Sequence, residues 1–594
     1  MLRTHQALRH SFAVPACCIV LALILSACGG GTTPTVAPAQ PTQAPAVQPT
    51  AAMQPTAPPA VQPTEPPTAV PAPSGPVILK VGWTGKPDTL NPAYAFLSES
   101  YVIFDLVYNS LTREDPTGKY VGNLAKDWKK SDDGLTWTYT LKDNIKWHDG
   151  TSFTADDMAW SINAVMSDPD GWSTLANYTN GFKEVKALDP KTVQITLEDP
   201  ISNMDYRLSF LYAFPRKDFE QFTTAEELQN FPNDKILGTG PFKINTFEKD
   251  KGILILDANP DYFDGRAKID QVIFQTFDND DALVQALKVG DIDLIGSVPG
   301  VPNAAFSTMK NFDNVKTLQT PGRSFSELIV SSAPADHEPK PTRNPALEDP
   351  QVRLAIATAL NKQDLVDIVL QGLGQPGTTI VPPALGGGFW FDSAVKNPDF
   401  SIEQANQILE DAGYKKGADG IRAKGGNKLQ LRLQFPNNRA NYPRAADLIA
   451  GWLGEIGIKA TPESVDPDAL TAACCPTADY DLIIWGWGAD PDPDFILSVM
   501  TSDQFVDGGW SDSGYMNPKY DELYLAQQKT LDPNERQKII NQMQEMAFND
   551  RPYIVLWYDD TLQAYRTDHF KNFIEDSVTG IDSAESFLQA EPVQ

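Results

Sequence analysis

Histidine and cysteine are scarce, with five of each in 594 residues. His148, His337 and His569 lie far apart, and no His-x-Glu, Cys-x-x-Cys or His-Glu-x-x-His spacing occurs. Zinc chemistry and a disulfide scaffold therefore have no local support. Basic residues are in deficit too, 48 Lys and Arg against 77 Asp and Glu, a net charge of −29. Such a balance argues against nucleic acid, whose binders need a basic footprint, and against adhesion to an anionic membrane through a basic face. Neither the P-loop pattern nor Gly-x-Ser-x-Gly is present. What is abundant is chain: 41% hydrophobic residues over this length suffice for several packed domains, since one core rarely grows past roughly 250–300 residues.

Residues 1–27 read as a secretion signal. Arg3, Arg9 and His10 precede an apolar stretch from Phe12 to Leu25, which Pro15 interrupts. That stretch is shorter than the roughly 20 apolar residues of a membrane-spanning helix. It ends in Leu25-Ser26-Ala27-Cys28, which resembles a bacterial lipobox, where cleavage precedes the Cys and its thiol is lipidated. From Cys28 to residue 76 the chain turns low in complexity, with fourteen Pro between Gly31 and Pro76 and a single charge, Glu65. Such a segment cannot build a core and is expected to act as an extended tether.

Globular composition begins at Val77. Thr136-Trp137-Thr138-Tyr139-Thr140-Leu141 alternates strictly after the turn Asp132-Asp133-Gly134, and predicts a strand with Trp137, Tyr139 and Leu141 on one face. Ile145-Lys146-Trp147 continues the alternation after Lys142-Asp143-Asn144, suggesting a hairpin. Ser401 with Gln404 three residues on marks a helix start, and Gly413 its stop. Asp532-Pro533-Asn534-Glu535 opens an amphipathic helix with Ile539, Ile540, Met543, Met546 and Ala547 on one face. Mixed strands and helices give an α/β or α+β class with several domains.

Candidate chemistry is sparse. His148, in Trp147-His148-Asp149-Gly150, reads as a turn residue. Asp490-Pro491-Asp492-Pro493-Asp494 fails as a calcium loop, because Phe495 stands where the sharp turn needs Gly and Thr501 where a bidentate Glu is needed. The adjacent Cys474 and Cys475 can close a vicinal disulfide only as a strained ring, so two buried thiols are the favoured reading and the disulfide the alternative. No catalytic residue, cofactor or metal is expected.

Several blocks carry a resemblance. Leu124-Ala125-Lys126-Asp127-Trp128, Ser131-Asp132-Asp133-Gly134, Lys146-Trp147-His148-Asp149-Gly150 and Thr154-Ala155-Asp156-Asp157 form the first. Gly238-Thr239-Gly240-Pro241-Phe242, Asn259-Pro260-Asp261-Tyr262-Phe263, Gly290-Asp291-Ile292-Asp293, Pro350-Gln351-Val352-Arg353, Gly486-Trp487-Gly488-Ala489-Asp490 and Asn517-Pro518-Lys519-Tyr520-Asp521 follow in order. The series resembles the oligopeptide/dipeptide-binding class, family 5, of solute-binding proteins of bacterial ABC transporters. The resemblance implies a two-lobed periplasmic-binding-protein-like α/β fold with a hinge and an additional domain. Lobe I would comprise 77–111, 211–325 and 557–594, the additional domain 112–210, and the other lobe 326–556. It also implies a monomer outside the cytoplasm, tethered through Cys28, that hands its cargo to the permease subunits of an importer and through them to the ATPase.

The strand-like run from Tyr480 to Asp490 is the candidate binding element. Ile483, Trp485 and Trp487 share one face, and Ile484, Gly486 and Gly488 the other. Glycines inside a strand often mark a close backbone approach, and a peptide along such an edge can be held by main-chain hydrogen bonds that ignore its sequence. In peptide-binding relatives the Asp of the block matching Gly486-Trp487-Gly488-Ala489-Asp490 pairs with the ligand's α-ammonium, which implies that role for Asp490. A carboxylate closed in a dry cleft loses hydration that a cation with three donors can replace. Asp492 before Pro493 fits the cap and first position of the following helix. Phe96 and Leu97, after Leu90-Asn91-Pro92, align with cleft-lining stretches, and Trp83 reads as core. A short peptide is the expected ligand. An oligosaccharide or another small solute is the alternative within the fold, and a secreted hydrolase a distant one.

Overall fold

Two long strands, Val315–Val330 and Tyr553–Arg566, run antiparallel and organise the computed structural model, which describes residues 75–167, 175–221, 227 and 237–593. The signal, Cys28 and the tether up to residue 74 lie outside the described residues. The two strands pair from Val315↔Arg566 to Pro321↔Asp560, lose register, and resume from Phe325↔Tyr558 to Ile329↔Tyr553. Each strand therefore serves both halves of one eleven-stranded mixed sheet. Beyond the first stretch lie Leu294–Ile295, Ile78–Trp83, Gln271–Thr276, Ile253–Ala258 and Phe242–Glu248 in that order; beyond the second lie Leu482–Gly488, Gln430–Pro436 and Lys459–Val465, and the short Gly374–Pro376 pairs with Tyr553–Arg566 off this line. At the break the backbones come close: a Cβ on Gly322 would stand 2.5 Å from the carbonyl oxygen of Asp559, a distance only glycine permits.

The second half is covered on both faces, and its strands read as unbroken apolar runs for that reason. Leu482 and Ile484 enter one core with Leu328, Ile554 and the helix Tyr442–Glu455, whose buried Tyr442, Ala445, Ala446, Ile449 and Leu453 form a helical stripe. Ile483 enters a separate core with Phe325, Ile329, Tyr553 and Val555, against which Trp485 and Trp487 pack. The face assignment read from the sequence matches these two cores. The first half has its own core, where Leu79, Val81 and Phe274 join residues of a separate four-stranded sheet built from Ala125–Lys130, Thr136–Leu141, Phe182–Asp189 and Thr192–Leu197. The fold is a two-lobed α/β assembly with this additional sheet.

Most local expectations hold. Trp137, Tyr139 and Leu141 are buried on one face of their strand. Ser401 accepts the Gln404 amide at 3.0 Å, and Asp532 accepts those of Asn534 and Glu535 at 2.9 and 3.0 Å. His148 sits in its turn; its Nδ1 accepts from Gly238 N and its Nε2 donates to Gly240 O, so the ring clamps the Gly238–Gly240 segment. Burial lowers its pKa to about 4, which keeps it neutral. Trp83 is core, its ring centroid 4.8 Å from that of Phe274.

Three expectations are corrected. Ile145–Trp147 makes no hairpin with Thr136–Leu141: Lys146 forms one isolated bridge with Ser152. The hairpin lies upstream instead, where the turn at Gly134 returns the strand Ala125–Lys130 onto Thr136–Leu141, whose other edge is taken by Thr192–Leu197. Cys474 and Cys475 are joined in a disulfide and are not free thiols. The helix after Asp490 begins at Asp494, with Pro493 as its cap residue. Asp492 still accepts the Asp494 amide at 2.9 Å, but its carboxylate also grips Arg536 with two hydrogen bonds of 2.5 and 2.7 Å, an ion pair buried on both sides.

Candidate functional site

The strand Leu482–Gly488 is fully paired on one edge only. Ser324–Val330 matches it from Gly488 to Leu482, whereas on the other edge Gln430–Pro436 pairs with Leu482 and Ile483 alone. That neighbour ends at Pro436, which has no amide to donate. Among the described residues, no strand pairs with the free edge from Ile484 to Gly488. It faces a cavity of about 440 Å³ lined by Gly486, Trp487 and Gly488 together with Arg439, Tyr442 and Asp559. The close approach expected at the glycines is real at Gly486: a Cβ there would meet the Phe325 carbonyl oxygen at 2.8 Å and the Tyr442 hydroxyl at 3.0 Å.

Beyond the strand, Ala489 is buried and its amide donates to Arg323 O at 2.9 Å, which fixes the direction in which Asp490 leaves. Asp490 lines a second chamber, of about 400 Å³, with Tyr178, Tyr206, Arg207, Phe495 and Trp510. Its Oδ2 accepts the Tyr206 hydroxyl at 2.6 Å, and among the described residues its Oδ1 accepts nothing. Burial pushes the Asp490 carboxyl above its usual range; the Tyr206 bond opposes the shift, Asp492 adds to it and the more distant Arg323 opposes it. Tyr206 is itself held neutral by burial and by the Asp490 charge, so it remains a donor. A carboxylate satisfied by one neutral hydroxyl has capacity left for a cation.

The two tryptophans play different parts. Trp485 packs into the core beneath the strand. Trp487 lines the 440 Å³ cavity, yet its Nε1 is turned inward to Asp512 Oδ2 and Tyr553 Oη, both 3.2 Å away. Asp512 also accepts from Tyr553, and burial raises its pKa to about 7. Glu327 lies beside this group, fully buried with neither carboxylate oxygen hydrogen-bonded, and burial raises its pKa strongly. The strand thus rests on carboxyl groups that favour their neutral form.

Phe96 and Leu97 do not join the site. They are 68% and 46% exposed, their amides donate to Asp88, and neither lines a chamber described above. The next turn contributes instead: Ser98 and Tyr101 line a third chamber, of about 490 Å³, together with Arg323 and Glu114, which pair at 2.5 Å. Sequence reasoning also missed Tyr206, Arg207, Trp510 and Arg439. They reach the site from three segments, Tyr206 and Arg207 sharing the helix Met204–Phe210, and no spacing ties any of them to Asp490.

Two α/β halves joined by crossing strands, with an open strand edge and an under-satisfied carboxylate facing chambers, define a binding protein. A sequence model described as bacterial extracellular solute-binding proteins, family 5 Middle, matches residues 119–507. The chain belongs to that family. It is 28% identical over 492 residues to the oligopeptide-binding protein AppA of Bacillus subtilis, spanning 82% of this chain and 87% of AppA. Among solved structures, AppA in complex with a nonapeptide superposes with a TM-score of 0.67 at 24% identity, covering 87% of this chain and 99% of that one. NikZ from Campylobacter jejuni in complex with Ni(L-His) gives a TM-score of 0.68 at 24% identity, covering 87% and 99%. Among the described residues no helix is long and apolar enough to cross a membrane.

Proposed function

We propose that this protein captures short peptides between its lobes and delivers them intact to the permease of an ABC importer. The observation that carries the reading is the open strand edge up to Gly488 followed by Asp490, whose carboxylate, among the described residues, has a neutral donor on one oxygen and none on the other. Main-chain hydrogen bonds along Trp485–Gly488 hold the peptide backbone whatever its sequence, and Asp490 takes the α-ammonium. A neutral oligosaccharide would leave that carboxylate without a cation, which favours the peptide. The oligopeptide-binding relative supports the same choice.

The lobes divide at the register break: 77–111, 211–325 and 557–594 on one side, 326–556 on the other, with 112–210 as the additional domain. The loss of register between Pro321 and Phe325 supports this division, as does the confinement of the four-stranded sheet to residues 125–197. The chain acts as a monomer outside the cytoplasm, tethered by lipid on Cys28. Gentle purification followed by mass spectrometry of whatever is retained tests the ligand class: peptides with free N-termini are expected, and retention of sugars or metal chelates alone would refute it. Cys28→Ser is expected to move the protein from the membrane to the soluble fraction.

A further inference from the structure

The chamber at Asp490 has a composition that selects among peptides. Three charged side chains line it: Asp490, Asp494 and Arg207. Asp494 is occupied by neutral donors, accepting from Gln527 at 2.6 Å and from Gln528 at 3.5 Å. Arg207 is occupied by neutral acceptors, donating to Asn203 Oδ1 at 3.0 Å and to Asn180 O at 2.7 Å. The lining therefore carries a net single negative charge. One entering α-ammonium cancels it, and a further charge of either sign would be left without a partner in a confined space.

The remaining wall is uncharged: five aromatic rings alternate with small polar side chains such as Asn177, Ser498 and Gln504. Tyr178, Phe495, Trp510 and Tyr524 join Tyr206 around the chamber. Phe495 and Trp510 meet edge to face at 5.7 Å, and Trp510 stays 53% exposed, a large apolar surface at the mouth that a ligand ring would cover. A volume of about 400 Å³ exceeds what an ammonium needs and suits one large side chain beside it.

Resting on the peptide reading above, we infer that this chamber holds the ligand's first residue and selects an uncharged, aromatic or large apolar side chain there, with Trp510 as the specificity wall and Arg207 as the group that sets the charge balance.

The test offers the full-length protein an equimolar set of pentapeptides X-Ala-Ala-Ala-Ala, together with N-acetylated Phe-Ala-Ala-Ala-Ala, and quantifies the bound fraction by mass spectrometry. Peptides with Phe, Tyr, Trp or Leu first are expected to be enriched roughly tenfold over those with Lys, Asp or Glu first. Trp510→Ala, at a half-exposed position, should flatten the aromatic enrichment and leave rejection of the acetylated peptide intact. Arg207→Gln should shift recovery toward Lys-first peptides, because the lining then carries two negative charges. Equal recovery for every X, or Lys-first enrichment in the wild type, overturns the inference while the peptide reading stands, provided the acetylated peptide is still rejected. Equal capture of the acetylated and free peptides, or capture of none, removes the peptide reading and this inference with it.

Discussion

Tyr206 donates its hydroxyl to Asp490 Oδ2 at 2.6 Å, across 284 residues of sequence, from the helix Met204–Phe210 to the loop just past the strand Leu482–Gly488. The contact keeps the carboxylate partly satisfied when no ligand is bound and, among the described residues, leaves its second oxygen unmatched. It also couples the position of the Met204–Phe210 helix to the charge of the site.

Tyr206→Phe is expected to weaken binding of free-amine peptides by roughly tenfold, the loss of about 1.5 kcal/mol for one hydrogen bond to a charged group. Burial already raises the Asp490 pKa, and the hydroxyl is the largest influence opposing the rise. Binding needs the carboxylate, so affinity falls as pH drops through that pKa, and without the hydroxyl the fall should begin at higher pH. Calorimetric titrations across a pH series in wild type and variant check the sign.

Asp512 predicts a pH dependence of stability. Its pKa is about 7 in the folded protein, against about 3.9 in an unfolded chain. The folded state therefore holds the proton more tightly, and stability falls as pH rises between about 4 and 7, by at most ~1.4 kcal/mol per pH unit from this group. Glu327, raised for the same reason, adds to the slope with the same sign. Asp512→Asn keeps one acceptor oxygen, which serves either Tyr553 or Trp487, and cannot ionise, so Tm measured from pH 4 to 8 should fall less steeply in the variant than in the wild type.

Local chemistry was legible in the sequence where it depends on neighbours. Strict alternation located Thr136–Leu141, the caps at Ser401 and Asp532 started their helices, and the parity of Ile483, Trp485 and Trp487 assigned them to one core. The family blocks picked out the strand Leu482–Gly488, whose edge is open, and Asp490 just beyond it. What depends on distant segments was not legible. Asp492 looked like a helix cap because Pro493 follows it, yet its strongest partner, Arg536, sits 44 residues on. The second strand of the hairpin was taken from the wrong side because Asn144 and Gly134 both offer turns, and only pairing decides between them. Phe96 and Leu97 stop just short of the residues that reach a chamber, Ser98 and, one turn on, Tyr101.

The central claim, that Asp490 takes a peptide's α-ammonium, is tested most directly by calorimetry of Asp490→Asn with a peptide the wild type binds. The variant keeps the shape and an acceptor for Tyr206, removes the charge, and puts an amide donor in place of the oxygen that would face the ammonium. The account predicts a loss of about 2–5 kcal/mol for the free-amine peptide, as for truncating one partner of a buried charge pair. Affinity equal to the wild type's would contradict it.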